Sequence, residues 1–164
     1  MHGWTDRDDS QQCCDGQFGP VSNEEEIARL LHSKIVQPYA EPIRRGELFP
    51  AGGNAPSNLC GDADGVSILR LMGLAEQAIL DKAMAQASKR PDRESKGAII
   101  AKALKLRNIS LSELGDQQIV FVYDDPRDDE PLHAVIRGNS DVTRANQDFV
   151  RSKICDLFDR LISP

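Results

Sequence analysis

The clearest hydrophobic pattern in the chain lies between Gln118 and Gly138, QIVFVYDDPRDDEPLHAVIRG, where two apolar runs flank an acidic loop containing two prolines. Ile119 to Tyr123 is an unbroken run of β-branched and aromatic residues, too short for a helix and suited to a strand covered on both faces. Leu132 to Arg137 alternates, with Leu132, Ala134 and Ile136 on one side and His133, Val135 and Arg137 on the other. Between them Asp124 to Pro131 cannot extend either strand, because proline removes ladder donors and the acidic side chains favour solvated turns. The pattern predicts an antiparallel hairpin over 118–137 at the centre of a small sheet.

Three helices are expected to cover that sheet. The first, about 23–35, opens on Ser22-Asn23-Glu24-Glu25, a capping pattern followed by an apolar stripe of Ile27, Leu30, Leu31 and Ile35. The second, about 74–90, rests on its density of Ala, Leu, Met, Glu, Gln and Lys. The third, about 141–162, follows the caps of Asn139-Ser140-Asp141 and repeats Val142, Ala145, Phe149, Val150, Ile154, Leu157 and Phe158 on one side. Val66 to Arg70 reads as a short strand and 111–114 as one helical turn. Residues 97–107 suit either state and are read here as a strand. The Pro- and Gly-rich segment 37–65 is irregular, anchored by Leu48-Phe49. The expectation is therefore a single α+β domain over 21–164, preceded by a disordered or loosely attached tail over 1–20 that includes Trp4.

Composition narrows the function classes. A chain of 164 residues with 40% apolar content can build one core. Its net charge of -6 lowers the prior for nucleic-acid binding, which needs clustered Lys and Arg, though a local basic patch remains compatible with it. No apolar run approaches a membrane span, and the acidic, polar N-terminus differs from a secretory leader, so the cytoplasm is the expected location. Cys13, Cys14, Cys60 and Cys155 have no zinc-ligand spacing and are expected to be free thiols.

The candidate chemistry rests on few residues. His133 and Arg137 share a strand face, a reasonable placement for a general acid or base beside an anion-stabilising group. His32 and Arg29 on the first helix would complete a two-histidine arrangement of the kind used by phosphoesterases and nucleases. Against this stands the ordinary role of a strand histidine, which is a structural hydrogen bond. Asp62-Ala63-Asp64-Gly65 has the start of a calcium loop, but Val66 and Gly73 occupy positions where oxygen ligands would be needed. Phosphate-binding glycine loops, nucleophile elbows and zinc-protease motifs are absent.

Arg29 and His32, Leu48-Phe49, Val66-Ser67-Ile68, Asp125-Pro126, and Pro131-Leu132-His133-Ala134 with Gly138 form a pattern that resembles a group of small bacterial proteins. In that group an Arg/His-containing helix leads through a Gly/Pro-rich loop with a Phe to a short strand, and a Pro-Ala-His-Ala strand follows a later loop. This chain departs from it at Glu130 and Leu132, where the pattern has Asn and Ala. The resemblance implies a bacterial origin and one shared domain over about 27–150, and it carries no activity.

The leading expectation is a non-catalytic interaction protein, an accessory or regulatory component of a bacterial multi-gene system with no cofactor. It would bind a protein partner through the 37–65 loop or the acidic loop, with Ser67, Phe49, Asp125 and Asp128 as contact residues. The alternatives are a small phosphoesterase using His133, His32, Arg29 and Arg137, and a cation-binding module using Asp62, Asp64 or the acidic loop.

Overall fold

The computed structural model describes Asp9 and residues 18–35, 37–50 and 64–164. Trp4, Cys13, Cys14, Cys60 and Asp62 lie outside the described residues. The architecture is α+β: one six-stranded, wholly antiparallel sheet with helices on both faces. Its strands are β1 (Glu26–His32), β2 (Val66–Arg70), β3 (Ser95–Lys102), β4 (Val120–Asp124), β5 (His133–Gly138) and β6 (Arg160–Ile162). They lie side by side in the order β4-β5-β2-β1-β3-β6. The helices are α1 (Arg45–Leu48), α2 (Glu76–Ser88), α3 (Ala103–Arg107) and α4 (Arg144–Leu157).

The first expected helix is instead the strand β1, which pairs with β3 along its length and with β2 at Ile27 and Ala28. The physical reason is burial on both faces. Ile27 and Leu31 join the core under α1, α3 and α4, while Ala28 and Leu30 join the core under α2. Apolar residues that fall on both sides of a strand reproduce the 27/30/31 spacing of a helix face. The capping pattern has an equally local explanation. The Glu25 carboxylate does accept the Ser22 N–H at 2.6 Å, but Glu25 N–H also bonds the Ser22 carbonyl, closing a turn that delivers the chain into β1.

The hairpin of β4 and β5 forms in the expected register region, with Val122 opposite Ile136 and Tyr123 opposite Val135. It sits at one side of the sheet, however, and β4 is an outer strand. The centre belongs to β1 and β2. Residues 97–107 prove to be both states in succession: β3 runs to Lys102 and α3 begins at Ala103. Gly97 in β3 holds φ at 88°, beside the irregularity in the β1–β3 register at Leu31/His32, and a Cβ there would collide with the Ile162 carbonyl of β6. The third helix ends at Leu157, five residues before Ile162, and the remaining chain adds β6 to the β3 edge.

Two apolar layers result. On one face Val120, Val122, Ala134 and Ile136 pack with Leu48 of α1, Leu106 of α3, and Val150 and Ile154 of α4. Each fully buried aliphatic side chain contributes about 1.5–3 kcal/mol relative to exposure. On the other, Leu69, Ala98 and Ile100 pack with Ile79 of α2. Leu132, expected beside Ala134, packs on the α2 side. Phe49 packs against the first core as an anchor and lies over Gly138, where a Cβ would overlap its ring.

The tail is attached where it is described. Asp9 is buried, and the carbonyls of Phe18, Gly19 and Pro20 accept bonds from Arg70. Arg70, only 1% exposed, also forms ion pairs with Glu25 at 2.7 Å and Asp124 at 2.8 Å. Among the described residues no helix is long and apolar enough to cross a membrane. Cys155 is a half-buried free thiol whose pKa is raised by burial.

Candidate functional site: a basic cleft beside His133

Strand alternation decides which polar residues share a surface. Ala134 and Ile136 of β5 face α4, so His133, Val135 and Arg137 face the α2 side. Ile68 faces α4 and Leu69 faces α2, which places Ser67 on the α2 side as well. There the sheet, α2, the turn after it and the β4–β5 loop enclose a cleft of about 460 Å3. Leu30, Leu69 and Ala85 give it apolar wall; Ser67 and His133 give it polar groups from the sheet.

The cleft is locally basic. Lys82, Lys89, Arg90, Arg93 and Arg127 line it against Asp129 and Glu130, an excess of three positive charges on a chain whose net charge is -6. Lys82 pairs with Glu130 at 2.7 Å and Lys89 with Asp129 at 2.8 Å. Arg90 and Arg93 form no ion pair among the described residues. Along α2 and its C-cap residue the row Lys82, Gln86, Lys89 recurs at spacings of four and three, beside the apolar row Ile79, Ala83, Ala87 that fixes the helix on the sheet. That row was legible in the sequence and points to this face; its meaning depends on which strands lie opposite.

His133 is 8% exposed and is oriented by Asp125. Its Nδ1 lies 2.9 Å from the Asp125 carbonyl oxygen and 3.0 Å from Oδ2 of the same residue. Both neighbours are acceptors, so Nδ1 carries the proton, and in the neutral ring Nε2 presents a lone pair. Nε2 is buried without a hydrogen-bond partner. The main-chain bond from Asp125 N–H to the His133 carbonyl at 3.1 Å fixes the two residues against each other at the mouth of the hairpin.

The other expected site residues do not gather here. Arg29 points to the opposite face, where it bonds the carbonyls of Pro42 and Ser67 and pairs with Glu47 of α1 at 3.2 Å. It fills the place where the β1–β2 ladder stops, and burial holds its pKa below the ordinary value against the raising effect of Glu47. His32 is four residues along β1 from Ala28. Ala28 lies opposite Leu69, and Leu69 lies opposite His133. Strand rise and spacing then separate the two histidines by about 16 Å, too far for a shared proton relay. The His32 Nδ1 accepts the Lys34 N–H, and burial followed by the charge of Arg93 lowers its pKa. Arg137 donates to the Asp64 carbonyl at 2.8 Å. Phe49 belongs to the core on the far face, and Asp128 is exposed at the tip of the β4–β5 turn.

Among the described residues no group of three His, Cys, Asp or Glu is placed to hold a metal ion. No protein-family model, curated protein or solved structure matches the chain.

Proposed function

We propose that the protein is a non-catalytic interaction protein that docks an acidic segment of a partner protein in the cleft between α2 and the sheet. The observation that carries this reading is the local excess of positive charge in a concave site on an otherwise acidic chain. Arg90 and Arg93 supply unpaired guanidinium groups at its rim, and Leu30 and Leu69 supply apolar surface for a side chain between the acidic ones. Recognition thus moves from the acidic loop, whose carboxylates engage α2, to the face that loop touches. The test is fluorescence anisotropy with labelled acidic, neutral and basic peptides of equal length. The acidic peptide is expected to bind selectively, more weakly as salt rises, and at least tenfold more weakly to Arg90→Glu/Arg93→Glu. Equal binding of all three peptides, or an unaffected double variant, would sink the reading.

A second reading has one specific observation behind it: the Asp125-oriented imidazole whose buried Nε2 has no hydrogen-bond partner. In that arrangement His133 is a general base for water or a hydroxyl, and Arg90 or Arg93 holds the anionic group of a phosphate ester. It uses neither His32 nor Arg29. Turnover of a chromogenic phosphodiester that His133→Asn abolishes would replace the first reading with this one.

A further inference from the structure

The β4–β5 turn sits over the cleft with its acidic side chains already on α2. Arg127 and Glu130 exchange both main-chain hydrogen bonds, 3.1 Å and 3.0 Å, closing a tight turn between Pro126 and Pro131. Glu130 is fixed further: one carboxylate oxygen accepts the Leu132 N–H at 3.1 Å and the other meets Lys82 at 2.7 Å. Asp129, the preceding residue, meets Lys89 at 2.8 Å. Lys82 on α2 and Lys89 at its C-cap are about two helical turns apart, about 10.5 Å along the axis. Two consecutive acidic side chains thus reach both lysines.

These contacts are easily exchanged. Lys89 and Asp129 are 62% and 64% exposed, the class of ion pair that solvent and salt screen most, while Lys82 and Glu130 are about one-third and one-quarter exposed. The turn also leaves the cleft incompletely filled, since neither Arg90 nor Arg93 is neutralised by it. From this geometry we infer that Asp129-Glu130 is a built-in stand-in for the partner's motif. The partner presents a turn with consecutive acidic residues and one or two further acidic groups that reach Arg90 and Arg93, and it displaces the β4–β5 turn from Lys82 and Lys89. The inference rests on the cleft reading above and adds both the partner motif and its control. A tethered competitor acts at high effective concentration, so only a segment with more charge than the turn itself displaces it. His133 follows the Glu130 carbonyl through its own N–H, so release of the turn loosens the cover beside Nε2.

The experiment uses the full chain and a fluorescein-labelled eight-residue peptide containing four consecutive Asp/Glu residues, with a matched Lys peptide as control. Asp129→Asn/Glu130→Gln is expected to bind the acidic probe on the order of tenfold more tightly than the unmodified chain. Arg90→Gln/Arg93→Gln is expected to weaken binding in both backgrounds. In the unmodified chain the amide NMR signals of Asp129 and Glu130 should shift in step with saturation, a readout that does not depend on how the substitutions affect folding. If the loop variant binds no more tightly and those amides stay still, while the arginine variant loses binding, the stand-in is wrong and the cleft reading stands. If the acidic probe binds no better than the Lys peptide in every variant, both fall.

Discussion

Asp9 and Arg107 are 98 residues apart in the chain and 2.8 Å apart in space, and together they occupy both free backbone groups of Val122 on the outer edge of β4. The Asp9 carboxylate accepts the Val122 N–H at 2.8 Å; the Arg107 guanidinium donates to its carbonyl at 3.1 Å. An ion pair thus stands where one residue of a further strand would stand. Gln118 extends the cover by donating to the Val120 carbonyl and to Asp9. An uncovered edge strand is a template for pairing with another chain, and a buried N–H without an acceptor is costly.

Asp9→Ala is accordingly expected to lower stability by about 1–3 kcal/mol and to promote self-association. Urea unfolding measures the first and sedimentation velocity the second. A variant with unchanged midpoint and unchanged sedimentation would show that the carboxylate is not what closes this edge.

Arg70 carries a heavier structural load. It is the shared partner of Glu25 and Asp124 and of three carbonyls from residues 18–20. For Glu25, burial works against ionisation, but the bonds from Arg70 and Ser22 outweigh it and lower the pKa; for Asp124 burial prevails and raises it. Arg70→Met leaves two carboxylates without their cation, and the expected loss is about 3–5 kcal/mol at neutral pH. The check is the denaturation midpoint at pH 7. A loss of less than about 1 kcal/mol would mean that the cluster relaxes onto solvent.

His32 gives a pH dependence whose sign is fixed by burial and by Arg93, both of which lower its pKa from 6.5. The unfolded chain therefore takes up a proton at this residue at higher pH than the folded chain does. Its contribution to stability is complete above pH 6.5 and declines as pH falls through 6.5 toward the lower folded-state pKa. Replacing the residue removes that slope. Unfolding midpoints of His32→Gln and the unmodified chain, compared from pH 7.5 down to pH 5, should converge toward acid; parallel curves would contradict the assignment.

By itself, the sequence determined the elements whose signals are local. Helix α2 follows from its run of good helix formers, β2 from Val66 to Arg70, and the β4–β5 hairpin from apolar runs around two prolines. It also placed His133 on the mixed face of β5 and marked Ser67, which lines the same cleft. Tertiary structure decided what depends on neighbours. Whether Ile27, Leu30 and Leu31 belong to one helix face or to two faces of a strand is settled by layers packed on both sides of β1, which no local pattern encodes. The same holds for Arg160 to Ile162, which leave the helical stripe because the β3 edge offers hydrogen bonds. Arg29 and His133 are assigned to opposite faces only by pairing register. The basic cleft, finally, exists because α2 packs over β1 and β3 beside the β4–β5 loop, bringing Lys82 and Lys89 to carboxylates 48 and 40 residues away.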